Sequence, residues 1–329
     1  MIRVALDAMG GDHAPRAEIA GVSLALKDLP ATFEIHLIGR ADVIEEELAG
    51  HPEINRTRIV VHHAPEVISM EEPPLQAVRR KRESSIVLGL ERHARGEVDA
   101  FISAGNTGAI LAASTMILGL HDGVKRATVA ALFPTATGPL LVLDAGANVD
   151  CSVQELVGFA RLGSVYMRDV QDVPSPKVGL LNVGEEEKKG GKTVQQAFQV
   201  LRSTPGLDFV GNIEGRDLLA GHSKVGHVNV AVCDGFVGNI LLKFYESVGA
   251  LLHRLFEQGD RSLLTHPEVQ RAFEFLDYSQ YGGGPLLGIK GVTVICHGAS
   301  AANAIKHAIR VAVHSVEVRL DQHIGAEFA

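Results

Sequence analysis

The stretch VDAFISAGNTGAILAASTMIL, Val98 to Leu118, passes from a short apolar run through a glycine- and asparagine-rich bend into a segment with helical periodicity. It reads as strand, tight turn, helix. The pattern recurs along the chain. IRVALDA, FEIHLIG, RIVVHHA, TVAALFP, PLLVLDAG, KVGLLNVG, LDFVGNIEG, HVNVAVCDG and GVTVICHG are further short, β-branched runs. Among the segments between them, Glu83 to Ala94, Val153 to Arg168 and Thr193 to Ser203 carry helical spacing. Strands alternating with helices at this interval predict a three-layer α/β/α fold around a mainly parallel sheet covered on both faces.

At 329 residues and 46% hydrophobic, the chain is long enough for a large core. The net charge of −8 leaves no surplus of cations for neutralising a phosphate backbone, which argues against nucleic-acid binding. Neither an export signal nor an uninterrupted apolar run of membrane-spanning length is found, so a cytoplasmic location is expected. Cys151, Cys233 and Cys296 have no metal-type spacing and fit reduced thiols.

One region breaks the alternation. FVGNILLKFYESVGALLHRLF, Phe236 to Phe256, is apolar around most of a helix. After GDRSLL a second helix is expected from Thr265, with Thr265 and Glu268 as a capping box and Leu264 and Val269 as a hydrophobic staple. An antiparallel hairpin of this kind either lies on its own sheet or packs on a second copy, giving a homodimer. At its tip Leu263 and Leu264, beside Arg261, could enter a membrane surface.

Ligands of open parallel sheets bind outside the carboxyl ends of the strands. Here those ends carry Asp7, Gly10, Gly11, Asp12 and His13; Ser103, Gly105, Asn106, Thr107 and Gly108; Asp144 and Asn148; Asn182, Gly184 and Glu185; Asn212, Glu214, Arg216 and Asp217; Asp234, Gly235 and Asn239; and His297, Gly298 and Ser300. So much Asn, Asp and Gly on one rim is expected to form a single site. SAGNTGA opens a helix whose first N–H groups could hold an anion, or is only a tight βα turn. AMGGDHAP lacks the spacing of a dinucleotide fingerprint and adds an acid where a pyrophosphate would lie. Its aspartates are therefore read as orienting neighbouring loops, with helix capping as the alternative for Asp12. Ser152 and Glu155 form a second predicted capping box.

Arg79, Arg80, Lys81 and Arg82 cannot all face inward on a helix; they are either a solvated helix start or a dock for an acidic protein. Lys188, Lys189 and Lys192 beside Gly190 and Gly191 could close over an anionic substrate, or form a mobile surface loop. Cys296 and His297, adjacent on a strand, point to opposite faces and make no nucleophilic pair.

Taken in order, LDAMGGDHAP, SAGNTGA, LDAGAN, LLNVGEEEKKG, FVGNIEGRD, CDGFVGN, GGGPLLG and HGAS resemble the bacterial acyl-ACP:phosphate acyltransferases of phospholipid synthesis, from residue 2 to about 315. The resemblance implies transfer of a fatty acyl group from acyl carrier protein to inorganic phosphate, supplying acyl-phosphate for phosphatidic acid synthesis. It further implies a fold similar to isocitrate and isopropylmalate dehydrogenases, a homodimer, and peripheral contact with the membrane surface and its acyl-phosphate:glycerol-3-phosphate acyltransferase. The expected division is a main domain of residues 1–235 and 281–329, with 236–280 as the protruding hairpin. Phosphate is itself the nucleophile, so the chemistry asks for positioning and oxyanion donors rather than a metal or cofactor. His13, Asn182, Lys189, Asp234 and Asn239 are the expected catalytic group, the remaining strand-end residues bind substrate, and the basic run 79–82 docks the acidic carrier protein.

Overall fold

The computed structural model describes residues 1–224, 226–259, 261–276 and 282–329. The chain forms two compact units, Met1–Val129 with Tyr281–Ala329, and Ala130–Gln280. This differs from the expected division, because the boundary falls inside the predicted strand TVAALFP. That run is two strands separated at Ala130, one in each unit's sheet.

Along the first unit lie β1 (Ile2–Asp7), α1 (Arg16–Asp28), β2 (Phe33–Gly39), α2 (Ala41–Ala49), β3 (Ile59–His63), α3 (Pro74–Arg80), α4 (Ser85–Ala94), β4 (Ala100–Ser103), α5 (Thr107–Ile117) and β5 (Thr128–Val129). The second unit holds β6 (Ala131–Thr135), β7 (Gly138–Leu143), α6 (Val153–Asp169), β8 (Lys177–Leu181), α7 (Lys192–Ser203), β9 (Asp208–Ile213), α8 (Gly215–Ala220), β10 (His222–Ser223), β11 (Gly226–His227), β12 (Val230–Val232), α9 (Gly235–Gln258) and α10 (Pro267–Leu276). The chain then returns to the first unit with β13 (Gly284–Leu287), β14 (Val292–Ile295), α11 (Ala302–Glu317) and α12 (Leu320–Phe328).

Among the described residues there are two main sheets rather than one. The first has the order β3-β2-β1-β4-β14-β13-β5, parallel from β3 to β14 and antiparallel at β13 and β5. The second has the order β6-β7-β12-β8-β9, parallel except for the edge pair β6 and β7. Each unit is thus a parallel core bordered by one antiparallel edge.

The first sheet is buried on both faces, as alternation along its strands requires. Val4 and Leu6 of β1, Ile102 of β4 and Val294 of β14 belong to one core with Ile19 and Val22 of α1 and Ile305, Ala308 and Ala312 of α11. Phe101 points the other way, and a methyl group at Gly89 of α4 would strike its ring. In the second unit Gly163 of α6 serves the same end, since a Cβ there would stand 2.6 Å from Val230.

Of the two capping boxes the sequence predicts, one forms and one does not. Ser152 and Glu155 form the predicted capping box of α6. At α10 the predicted box is absent: Thr265 closes a 3-10 turn by donating its hydroxyl to the Ser262 carbonyl at 2.7 Å, and the Glu268 N–H turns to His266 Nδ1. Pro267 explains the shift, because it lacks an N–H and favours the first helical position. α9 and α10 touch through edge-to-face contacts of Phe273 with His253 and Phe256. Residues 277–280 and Asp260 of the expected hairpin lie outside the described residues. Phe236, Ile240, Phe244, Leu251 and Leu255 leave an exposed apolar stripe along α9, within an arc of about 100°. No described helix is long and apolar enough to cross a membrane.

Candidate functional site

The strand-end residues form two rims, one in each unit. In the first, the Asp7 carboxyl is buried at the end of β1. The Ser103 hydroxyl donates to Asp7 Oδ2 at 2.6 Å and accepts the Gly105 N–H at 3.0 Å, while the Met9 N–H donates to Asp7 Oδ1. Burial pushes the Asp7 carboxyl above its ordinary value, against the hydrogen bonds of Ser103, Ser85, Met9 and Gly10 that favour the ion. Gly10 has no room for a side chain: a Cβ there would stand 2.7 Å from the Gly105 nitrogen and 2.8 Å from Ser103 Oγ. The Asp7 carboxyl therefore orders the loop, as expected.

Asp12 and His13 are exposed. The Asp12 N–H donates to the Gly298 carbonyl at 2.8 Å, tying the loop after β1 to the loop after β14. α1 begins at Arg16 with no side-chain cap, so the capping alternative for Asp12 falls away. Asn106 is engaged twice. Its Oδ1 accepts the Ala109 N–H as the N-cap of α5, and its Nδ2 donates to the carbonyls of Ser69, Met70 and Glu72 at 3.1 to 3.2 Å. Any anion at this helix start meets the backbone of Thr107 and Gly108 rather than the Asn106 side chain. His297 is exposed and Ser300 half-buried, and the Ser300 N–H donates to the His297 carbonyl. Cys296 is buried, so the pair splits to opposite sides as alternation demands.

The basic run marks the end of α3, not the start of the next helix, which Ser84 caps. Arg79, Arg80 and Arg82 are exposed, but Lys81 is a structural clamp: its Nζ donates to the Val67 carbonyl at 2.6 Å and to Glu72 Oε2 at 2.5 Å. Through Glu72 it holds the segment that Asn106 grips.

In the second unit Asp144 ends the chain segment after β7. It accepts the Asn148 N–H at 2.6 Å, the Asn148 Nδ2 at 2.9 Å and the Ala147 N–H at 3.2 Å. The start of α9 packs directly on this turn: the Gly235 N–H donates to the Asn148 carbonyl, and Asp234 caps the helix by accepting the Val237 N–H at 2.8 Å. Asn239 lies over Gly146, whose φ of 131° suits glycine. Cys151 and Cys233 donate to the carbonyls at the two ends of the same turn, Asn148 and Asp144.

A second group in this unit shapes the lysine loop. Asn182 Nδ2 donates to the Lys189 carbonyl, Asn212 Nδ2 to the Glu186 carbonyl, and Gln195 Nε2 to the carbonyls of Lys188 and Gly190. The loop is bound to its base by amide side chains, while Lys189 stays exposed with Nζ 4.0 Å from Glu186 Oε2. Asn182, expected to be catalytic, supports the loop through its hydrogen bond to the Lys189 carbonyl and accepts the Val183 N–H at 2.8 Å. Glu214 and Asp217 form a reciprocal cap on α8. Asp144, Asp217 and Asp234 are each spent on their own turn or cap.

All three thiols are poor nucleophiles. Burial pushes Cys151 and Cys296 up to about 12 and Cys233 well above its ordinary value. Sequence reasoning missed Ser85, Gln195 and Glu18. The signal for Glu18 was a lone acid in the apolar run AEIAGVSLAL.

A family model described as "Fatty acid synthesis protein" matches residues 2–322. The phosphate acyltransferase of Desulforamulus reducens is 47% identical over 96% of this chain and 94% of that protein. That of Moorella thermoacetica is 43% identical over 98% and 95%. Among solved structures, a phosphotransacetylase from Streptococcus pyogenes aligns with a TM-score of 0.66 at 16% identity, covering 96% of this chain and 94% of the other. A branched-chain phosphotransacylase from Enterococcus faecalis V583 aligns at 0.63 and 16%, covering 96% and 99%; both likenesses show the fold alone. Matched over nearly its whole length by the model and by these relatives, the chain belongs to the phosphate acyltransferase family of fatty acid synthesis proteins and is an acyltransferase.

Proposed function

We propose that the chain transfers a fatty acyl group from acyl carrier protein to inorganic phosphate, by direct attack of phosphate on the thioester, giving acyl-phosphate for phosphatidic acid synthesis. The supporting observation is that rigid glycine loops with buried supports stand at the strand ends while every thiol is held protonated. A site of this kind can position an anion and stabilise a developing oxyanion without first acylating the protein. In the first unit the backbone of Gly10, Gly11, Thr107 and Gly108 supplies such donors; Asn239 and Lys189 are the candidate polar and cationic groups of the second unit, taken by itself. The test is release of free carrier protein from its fatty-acyl thioester. Release that depends on added phosphate supports the reading; release at the same rate without phosphate, or a labelled acyl group trapped on Cys296 as a competent intermediate, overturns it. Lys189→Ala should lower turnover or phosphate affinity about tenfold if the loop closes on the anion. Unchanged kinetics would leave that loop as surface.

Three surface readings accompany the reaction. Arg79, Arg80 and Arg82 dock the acidic carrier protein, so reversing their charge should raise the KM for the carrier substrate and flatten its salt dependence. The stripe on α9 packs on a second copy, giving a homodimer in which 236–280 is the dimer and membrane-surface element. Leu263, 40% exposed, enters a lipid surface together with Leu264. Leu263→Glu should reduce binding to vesicles while leaving turnover in solution intact, and unchanged vesicle binding would remove this last reading.

A further inference from the structure

Glu18 lies in the first turn of α1, is 1% exposed, and its Oε2 is buried with no hydrogen-bond partner. A charged or polar oxygen so placed is costly unless its position serves something else. Its other oxygen faces the glycine loop. A Cβ at Gly11 would stand 2.8 Å from Glu18 Oε1, 3.4 Å from the Ala104 side chain and 3.4 Å from the Gly298 carbonyl. Gly11, at a φ of 145°, is therefore enclosed between the α1 carboxyl and the segments that follow β4 and β14.

We propose that Glu18 is the positioning residue of this loop: its carboxyl, wedged under Gly11, fixes the Gly10–Gly11 turn against the ends of β4 and β14 and thereby sets the backbone that meets the substrate anion. Burial, with a smaller push from the Asp7 charge, raises the Glu18 carboxyl to about 8, so it carries a proton at neutral pH and can sit there without a counter-ion. Ionisation calls for water at the carboxyl, and water can reach the Oε1 side by displacing Gly11. The titratable groups facing Glu18 are Asp7 from β1 and the Cys296 thiol from β14. From α11, packed along α1, Lys306 binds Asp28 at the far end of α1, and Asp12 stands exposed beside Gly298 on the outer side of the loop.

The kinetic arm rests on the acyl-transfer reading; a hydrogen-exchange arm does not. In the full-length protein, exchange of the amides of residues 8–14, corrected for intrinsic rates, should rise about tenfold between pH 7 and pH 9 and stay flat in Glu18→Gln, which cannot ionise. In phosphate-dependent turnover, Glu18→Gln should keep the neutral-pH kcat and KM but lose the decline that wild type shows above about pH 8, while Glu18→Ala should raise the KM for phosphate about tenfold with kcat within about threefold. An exchange rise that persists in Glu18→Gln overturns the proposal, as does a Glu18→Ala enzyme with unchanged KM. Should Glu18→Ala fail to fold, the wild type and Glu18→Gln exchange profiles decide alone. Should wild type show no phosphate-dependent turnover, the acyl-transfer reading falls and the exchange profiles still decide the role of Glu18.

Discussion

The loops after β1 and β7 use the same device with different wiring. In both, a buried aspartate at the end of a parallel strand holds a glycine-containing turn. The Asp144 carboxylate binds groups within five residues of it, Ala147 and Asn148. Asp7 finds one of its partners 96 residues away, in Ser103, and another in Ser85 at the start of α4. The first kind of clamp closes as the turn forms, since an Asp side chain readily binds N–H groups a few residues on. The second exists only after β1, β4 and α4 have assembled, so its geometry reports on tertiary structure. The carboxylate of the local clamp is served by its own turn, on which the start of α9 then packs, whereas the distributed one is open to adjustment from several directions.

The comparison is broken most sharply at Gly238. Its Cα lies so close to the Asp144 carbonyl that a Cβ would overlap it. Alanine gains up to about 1 kcal/mol in helix propensity, so any net loss must be steric. Gly238→Ala should cost on the order of 4 kcal/mol or abolish soluble expression, whereas Gly191→Ala, with nothing within 4 Å and a φ of −72°, should stay within about 0.5 kcal/mol in thermal or denaturant unfolding. A Gly238→Ala protein as stable as wild type would show that the local clamp yields, contrary to its compact wiring.

The same distinction explains what could be read from the sequence. DAGAN announces its own turn, and Ser152 with Glu155 announces a helix start, because the partners are neighbours in the chain. Alternating strands and helices gave the layered class for the same reason. The distribution of strands over two sheets was not legible, since TVAALFP is a uniform apolar run and the change of sheet at Ala130 depends on β5 pairing with β13, more than 150 residues on, while β6 turns back on the adjacent β7. Nor was the engagement of Asn106, Asn182 and Asn212, whose side-chain N–H groups look available for substrate but donate to the carbonyls of Ser69, Lys189 and Glu186. Strand ends are polar both where they bind and where they brace, and the letters alone do not separate the two.

The second effect in size belongs to the distributed clamp, which holds two acids against one turn. The Glu18 carboxyl has an ordinary value of 4.5 in the unfolded chain and about 8 in the fold. The native state therefore binds the proton more tightly, so this group's contribution is most favourable below about 4.5, declines as pH rises, and is fully lost above about 8. The penalty once pH exceeds both values is on the order of 4–5 kcal/mol. Glu18→Gln should match wild type within about 1 kcal/mol near pH 5 and exceed it by a few kcal/mol near pH 8.5, as measured by denaturant midpoints at the two pH values. Equal midpoints at both would mean that the carboxyl reaches water without moving Gly11.

Ser103→Ala and Asn148→Ala sharpen the contrast at the smaller end. Ser103 is the hinge of its clamp: one hydroxyl serves both the Asp7 carboxyl and the Gly105 N–H, so its removal deprives two buried groups and should cost about 1–3 kcal/mol. Asn148 supplies its clamp through side chain and backbone together, and alanine keeps the backbone half. Its loss should be about 1 kcal/mol. The kinetic difference should be wider than the stability difference. In the distributed clamp loss of the hydroxyl frees Gly105 at the entry to α5, where Thr107 and Gly108 present their N–H groups, so the KM for phosphate should rise more in Ser103→Ala than in Asn148→Ala. The opposite ranking would move the anion to the loop after β7 and leave the Asp7 clamp as a brace for the sheet.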